Sequence, residues 1–434
     1  MTYPPRVQWV SQTACPAERS AAVRYWDPQA RLIGLGGPYA PAALAPLLSA
    51  EDILATSQGE GMRLLQVGEY HGVRLLVLDE TTGMKTGTHT LDGCIVTALC
   101  RKMGITQAVF SSGANTGIAL TDYGGPAGLE TFFFCPASTL YKVSGELFER
   151  PSAHLIAVEG SDRRVKQASQ MFADACGIRL VPALQWRVLS GQCRGLFLAE
   201  ETLKSDGRDC WFVQAVCAGY GPIGIYHALG RLVEAGQLDR WRVPRFLGIQ
   251  QSGVSPIASA WEAGCSKLSP ASSTDGQNGL IEPSLYNVCP DQTYPLLCSV
   301  LAGWGGDMLA VTADDFDRYA GEFEELLAKA GLALTRIQRD GRWQYLEKAG
   351  LLAGAGALKA ICQGRLAKGA TLMCSLTGGA GAAPTRPPRV DCHIAADTPL
   401  EQAIDSLAAA LTTAGRSTSK GETRRADRRQ DAQR

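Results

Sequence analysis

Three glycine-rich stretches each follow an apolar run and carry groups suited to holding an anion. The first is Ser111-Ser112-Gly113-Ala114-Asn115-Thr116-Gly117. A strand-to-helix turn of this composition presents backbone N–H groups with no partner inside the helix, and such groups bind carboxylate or phosphate. The second is Ala218-Gly219-Tyr220-Gly221-Pro222-Ile223-Gly224. Its glycines let the backbone approach a ligand closely, and Pro222 suits a first helical turn. The third, Ser375-Leu376-Thr377-Gly378-Gly379, ends an apolar run with two hydroxyls. Taken singly, each also has the composition of a plain tight turn.

Gly219, Gly221 and Gly224 match the G-x-G-x-x-G spacing of a nicotinamide-nucleotide loop, and Glu234 and Asp239 follow within reach. A ribose-binding acid should end the next strand, however, and neither residue does so. No glycine run is followed by Gly-Lys-Ser/Thr, so a Walker phosphate loop is excluded.

The elements that must position these turns alternate along the chain. Short continuous apolar runs at 74–80, 107–112, 130–136, 154–160, 211–219, 244–250, 308–312 and 370–377 have the composition of strands buried on both faces. Helix-period stretches lie between them at 91–103, 116–123, 163–175, 223–235, 313–330 and 343–362. Thr312 is the expected N-cap of the fifth, with Asp314 and Asp315 at the positive helix end. The alternation predicts an α/β fold. The segment 266–278 reads as a polar loop. The tail from 413 to 434 reads as disordered, because it holds too few apolar residues to offset its ordering entropy.

The 434 residues carry 42 basic and 42 acidic side chains. Such balance argues against nucleic-acid binding, which needs a surplus of Lys and Arg. No apolar run is long enough to span a bilayer, and Met1 to Trp9 lacks a secretory pattern, so no membrane partner is expected. The fourteen cysteines include no C-x-x-C pair, and most sit in apolar runs where Cys acts as a small hydrophobe. Reduced thiols, no metal site and a cytoplasmic compartment are the expectation.

Together the three turns resemble those of the fold type II pyridoxal-phosphate enzymes, among them threonine synthase, cysteate synthase and the tryptophan synthase β subunit. Thr86-Gly87-Thr88-His89-Thr90 is similar to the β subunit's T-G-A-H-K segment. Ser112 to Gly117 resembles the S-x-G-N-T-G turn of threonine and cysteate synthases, and Ser375-Leu376-Thr377-Gly378 resembles the T-L-T-G of threonine synthase. Arg245 to Gln250 is similar to that enzyme's strand after the glycine loop. The likeness runs from about Val73 to Thr412.

The resemblance implies pyridoxal 5′-phosphate as cofactor. Asn115 would bond its 3′-oxygen, while Gly219, Tyr220, Gly221, Ile223 and Gly224 would cradle its phosphate. Thr377 or Ser375 would meet the pyridine nitrogen as a neutral partner. Ser112, Gly113, Ala114 and Thr116 would grip the α-carboxylate of an amino-acid substrate. A neutral partner at the ring nitrogen biases the chemistry toward elimination and replacement.

The departure is at the Schiff-base lysine, which both holds the cofactor and moves the α-proton. Local matching to T-G-A-H-K places it at Thr90, and spacing back from Asn115 places it at His89. Lys85 is the nearest lysine and needs a local insertion. Four readings stay open. Lys85 reaches the cofactor from a rearranged loop, or a Lys→Thr change at 90 stalls the enzyme. Alternatively the protein works without a lysine linkage, or it uses no such cofactor.

The expectation is therefore two open, twisted, mostly parallel sheets with helices on both faces. A large unit is expected from 1–90 and 201–412, and a small inserted unit from 91–200. The expected activity is a lyase or transferase reaction at Cβ or Cγ of an amino acid, threonine-synthase-like, with phosphate a possible leaving group and a homodimer as the assembly. The alternative is a lysine-deficient relative that binds an amino acid without turnover, as a sensor or partner subunit. Lys142 could bind a substrate anion but reads more simply as a surface lysine, Asp92 reads as a helix-dipole acid, and Trp304 as a loop residue near the site mouth.

Overall fold

The computed structural model describes residues 20–27, 48–181, 183–204, 209–268 and 279–410. In chain order the first elements are α1 (Ala21–Arg24), α2 (Ala50–Leu54), β1 (Gly61–Tyr70), β2 (Val73–Gly83) and α3 (His89–Lys102). Next come β3 (Gln107–Ser111), α4 (Asn115–Gly124), β4 (Glu130–Pro136), β5 (Ala153–Val158), α5 (Asp162–Cys176), β6 (Arg179–Leu180) and α6 (Ala183–Leu203). The chain continues through β7 (Cys210–Ala215), α7 (Tyr220–Glu234), β8 (Arg245–Gln251), α8 (Pro256–Glu262), α9 (Tyr294–Trp304), β9 (Asp307–Val311) and α10 (Ala313–Lys329). It closes with β10 (Arg336–Arg339), β11 (Arg342–Tyr345), α11 (Ala349–Cys362), β12 (Thr371–Leu376), β13 (Cys392–Ile394) and a helical stretch at 400–410.

Two sheets carry the fold. The larger has strand order β1-β2-β12-β7-β8-β9, parallel except for the antiparallel edge strand β1. The smaller, β13-β5-β4-β3-β6, is parallel throughout. Every residue of β5, β7 and β12 is buried, because helices cover both faces. Strands β3 to β6 of the smaller sheet are inserted in sequence between β2 and β7, and the two sheets with their helices make the α/β architecture expected.

Some boundaries fall elsewhere than expected. Cys392–Ile394 adds a parallel edge strand to β5, and Leu400, Ile404 and Leu407 pack with Val109, Phe132, Ile156 and Phe172. The end of the 201–412 segment thus completes the smaller sheet rather than the larger. Conversely α6, from the 91–200 segment, lies along α7, which covers the larger sheet. Gly191 and Gly195 let the two backbones touch: a methyl on Gly191 would meet the Gly221 carbonyl, and one on Gly195 the Ile225 carbonyl.

The expected helix at 343–362 begins only at Ala349. Arg342–Tyr345 instead pairs with Arg336–Arg339, because Asp340 (φ 51°) and Gly341 (φ 73°) form a two-residue hairpin turn. Thr312 caps α10 as expected: its hydroxyl accepts from Asp315 N–H at 3.1 Å, and Asp315 accepts from Thr312 N–H at 3.0 Å. Trp304 closes α9 rather than lying in a loop, and its ring takes the Arg240 guanidinium at 4.5 Å, away from the cleft described below. The cysteines among the described residues are free thiols, and no group of three metal-binding side chains occurs among them. No described helix is long and apolar enough to cross a membrane. The 413–434 tail and most of the 266–278 loop lie outside the described residues.

Candidate active site

The C-terminal ends of β3, β7 and β12 open onto one cavity of about 140 Å³, where parallel α/β sheets bind ligands. Ser112, Gly113, Ala114, Asn115 and Thr116 line it from the β3–α4 turn. Gly219, Tyr220 and Gly221 line it from the β7–α7 turn, Thr377 from the end of β12 and His89 from the start of α3. Asn115, Gly221 and Thr377, distant in sequence, thus share a single wall system. Ile223, Gly224, Ser375, Lys85 and Thr90 do not line this cavity.

Each turn is built for exposure of backbone N–H groups. Gly219 takes a left-handed conformation (φ 85°) that places it just ahead of α7, and no side chain caps this 15-residue helix. Ile223 N–H returns to the Gly219 carbonyl at 3.1 Å, and Pro222 has no N–H. The amides of Tyr220 and Gly221 remain for an anion, aided by the helix dipole. Gly224 serves packing instead: a methyl there would meet the Val188 carbonyl on α6. In the β3–α4 turn the Ser112 hydroxyl accepts from Gly117 N–H at 2.9 Å, fixing the loop, and α4 likewise has no side-chain cap.

Ser375, in β12, and Thr377, just beyond its end, have different surroundings. Ser375 is fully buried and donates to Glu80 at 2.6 Å while accepting from Arg194 at 3.0 Å. Arg194 holds Glu80 through two nitrogens, at 2.5 and 2.8 Å, and reaches Gln214 at 2.9 Å. This buried polar network reaches the cavity wall only at Gln214. Thr377 lines the cavity, and its carbonyl accepts from Thr88 N–H at 2.9 Å, tying the start of α3 to the end of β12.

His89 and Thr90 point to different places. Thr90 is buried against Thr86, its hydroxyl 3.0 Å from the Thr86 hydroxyl and accepting Thr86 N–H at 3.1 Å. Lys85 lies outside the cavity, with its side chain 71% exposed and its ammonium 3.0 Å from Asp122. His89 is on the cavity wall. Its Nδ1 stands 2.8 Å from Asp92 and 3.0 Å from the Thr116 hydroxyl. Asp92 also takes the Arg187 Nε–H at 2.8 Å and the Ser190 hydroxyl. Burial, reinforced by Arg187, lowers the His89 pKa despite Asp92 and Glu347. Burial pushes Asp92 up, but Arg187, His89 and Ser190 outweigh it and keep the carboxyl below its usual range.

A second charged cluster closes the opposite wall. Asn115 donates to Glu347, and Lys142 lies 3.0 Å from Glu282 and 3.6 Å from Glu347, with 2% of its side chain exposed. Burial acts to lower the Lys142 pKa, yet Glu347 and Glu282 raise it above the usual lysine value, so the ammonium stays charged. Lys142 is therefore not the surface lysine its sequence context suggested. Among the described residues, the lysine that lines the cavity is Lys166, its ammonium 2.6 Å from Asp162. Burial lifts the wall thiol of Cys217 to about 11, so it is protonated at neutral pH.

Sequence reading missed Glu347 and Arg187, and gave Asp92 only a helix-dipole role. The His89–Asp92 spacing of three residues on one helix was the visible signal for that pair. Glu347, beside Lys348, looks like any solvated charged pair. The strand after the glycine loop ends in Gln250 and Gln251, so no acid stands where a nicotinamide ribose would need one.

The fold defined by these two sheets and their cleft is the type II fold of pyridoxal-phosphate enzymes. No protein-family model matches the chain, and no curated protein matches it in sequence. Solved structures do match in fold. Threonine synthase from Escherichia coli superimposes with a TM-score of 0.60 at 12% identity, over 92% of this chain and 89% of that one. A pyridoxal 5′-phosphate-dependent aspartate racemase gives 0.56 at 16% identity, over 78% and 98%. Diaminopropionate ammonia lyase from Escherichia coli, solved with an aminoacrylate–PLP azomethine reaction intermediate, gives 0.54 at 14% identity, over 81% and 93%.

Proposed function

We propose that the cleft binds pyridoxal 5′-phosphate together with an amino acid, and that the protein eliminates or replaces a group at Cβ or Cγ of that amino acid. The observation that carries this reading is the convergence of Asn115, Gly221 and Thr377 on one cavity. The residues present fit the cofactor. The uncapped start of α7 suits its phosphate, Asn115 its phenolic oxygen, and the Thr377 hydroxyl its ring nitrogen. The Ser112–Thr116 turn suits the α-carboxylate, with an open wall at Gly113, where a methyl would lie 3.8 Å from the Ser284 carbonyl.

When bound, pyridoxal phosphate supplies an electron sink for bonds broken at the amino acid's Cα. Thr377, a neutral partner, leaves that sink weaker than a carboxylate would, which suits elimination and replacement. Lys142, Glu282 and Glu347 hold the wall behind Asn115 and keep its amide oriented. No lysine stands at the start of α3: Lys85 pairs with Asp122 outside the cavity, and Lys166 on its wall pairs with Asp162. This favours retention of the cofactor by its phosphate and ring contacts.

The same observation supports a second reading, in which the protein binds the cofactor and an amino acid without turnover. Spectra of the purified protein with pyridoxal phosphate and a panel of amino acids, read alongside released keto acid or phosphate, separate the two. A visible band that appears with one amino acid and decays as product accumulates is expected for the enzyme. A stable band without product supports the binding protein. No change with any amino acid contradicts both.

A further inference from the structure

We propose that the Nε2 atom of His89 is the base that takes the amino acid's α-proton, with Asp92 as its positioning residue. This rests on the reading that the cleft binds pyridoxal phosphate and an amino acid. Three observations carry it. His89 lines the cavity that Asn115, Gly221 and Thr377 share, whereas Lys85 and Thr90 do not. Its Nδ1 is engaged by Asp92 at 2.8 Å and Thr116 at 3.0 Å, which fixes the Nδ1–H tautomer. Among the described residues no hydrogen bond reaches Nε2, so its lone pair is open to the cavity.

Thr116 belongs to the turn suited to the α-carboxylate, so the imidazole stands beside the place where the substrate's Cα must lie. Asp92 is held in turn by Arg187 and Ser190 from α6. The nucleophile–base–orienter logic of a catalytic triad is thus present with the substrate carbon as the proton donor. In the step, the Cα–H bond would break, its proton would form an N–H bond at Nε2, and the electron pair would stay on the substrate, where a bound cofactor would supply the sink. The imidazolium so formed is balanced by Asp92 and later returns its proton to the product or leaving group.

The test uses the full chain. In the ¹⁵N-labelled protein without cofactor, two-bond imidazole correlations at neutral pH should show Nδ1 of His89 protonated and Nε2 bare; the chain has only five histidines, and His89→Gln assigns the signal. A bare Nδ1 overturns the proposal. With pyridoxal phosphate and the amino-acid panel in deuterated water, the wild type should exchange the α-proton of at least one amino acid. His89→Gln should slow that exchange by about 100-fold or more. Exchange at the wild-type rate in His89→Gln overturns the base while leaving cofactor binding intact. Absence of cofactor binding by the wild type, read by calorimetry, overturns the underlying reading instead. His89→Lys places an amine at the same point, and borohydride should then fix the cofactor on residue 89; label on Lys85 overturns the proposal.

Discussion

Gly87 packs directly on the carbonyl of Thr377, so closely that a methyl at 87 would overlap it, and its φ of 61° is one that glycine alone adopts without cost. This contact fixes the entry of α3, and with it His89, to the strand end that presents Thr377. Gly87→Ala is expected to destabilise the fold by about 1–3 kcal/mol from backbone strain and crowding, read as a lower urea midpoint, and to weaken cofactor binding with it.

Ser375 and Thr377, two residues apart, should behave differently. Thr377→Val removes a hydroxyl from the cavity, and about 1 kcal/mol of hydrogen bonding corresponds to roughly fivefold weaker binding of pyridoxal phosphate, measured by calorimetry. Ser375→Ala should lower the urea midpoint and leave that affinity unchanged, because its hydroxyl is spent on Glu80 and Arg194.

Glu80 and Arg194 form an ion pair with 0% and 2% of their side chains exposed. Glu80→Ala leaves a buried guanidinium without its carboxylate and is expected to cost about 3–5 kcal/mol. Chemical denaturation followed by circular dichroism measures this.

The pH dependence follows from His89. Its folded pKa lies below the ordinary 6.5, through burial and Arg187, with Asp92 and Glu347 opposing. The imidazole is then neutral at pH 7, and α-proton exchange should fall only as pH drops through a value below 6.5. A neutral buried His contributes no penalty above 6.5, and the fold should lose stability as pH falls below it, since the unfolded chain binds that proton more readily. Asp92→Asn removes a carboxylate that raises the His89 pKa, so the acid limb should move to lower pH. A limb that moves upward contradicts the arrangement.

The parallel strands were legible because burial of both faces leaves unbroken apolar runs, as in Ala153–Val158 and Thr371–Leu376. The edge strand β1 was not, since Arg63, Gln66 and Glu69 interrupt its apolar residues. Helix α6 escaped because its apolar residues are not confined to one face, which erases the helical period. The three turns that line the cavity could be read as turns from glycine and hydroxyl clusters. Which of residues 89 and 90 faces the cavity could not, because neighbours on a helix point about 100° apart and the phase depends on where α3 starts. Glu347 and Lys142 become site residues only through tertiary contact with Asn115 and Glu282.

On the proposed reading, one cleft holds one pyridoxal phosphate chiefly through the start of α7. Calorimetric titration of the full chain with pyridoxal phosphate and with pyridoxal addresses it directly. One saturable site is expected for the phosphate ester, with much weaker binding of pyridoxal and loss of the site in Gly221→Asp, where a carboxylate meets the phosphate. Equal affinity for both compounds, or unchanged binding in Gly221→Asp, would contradict it.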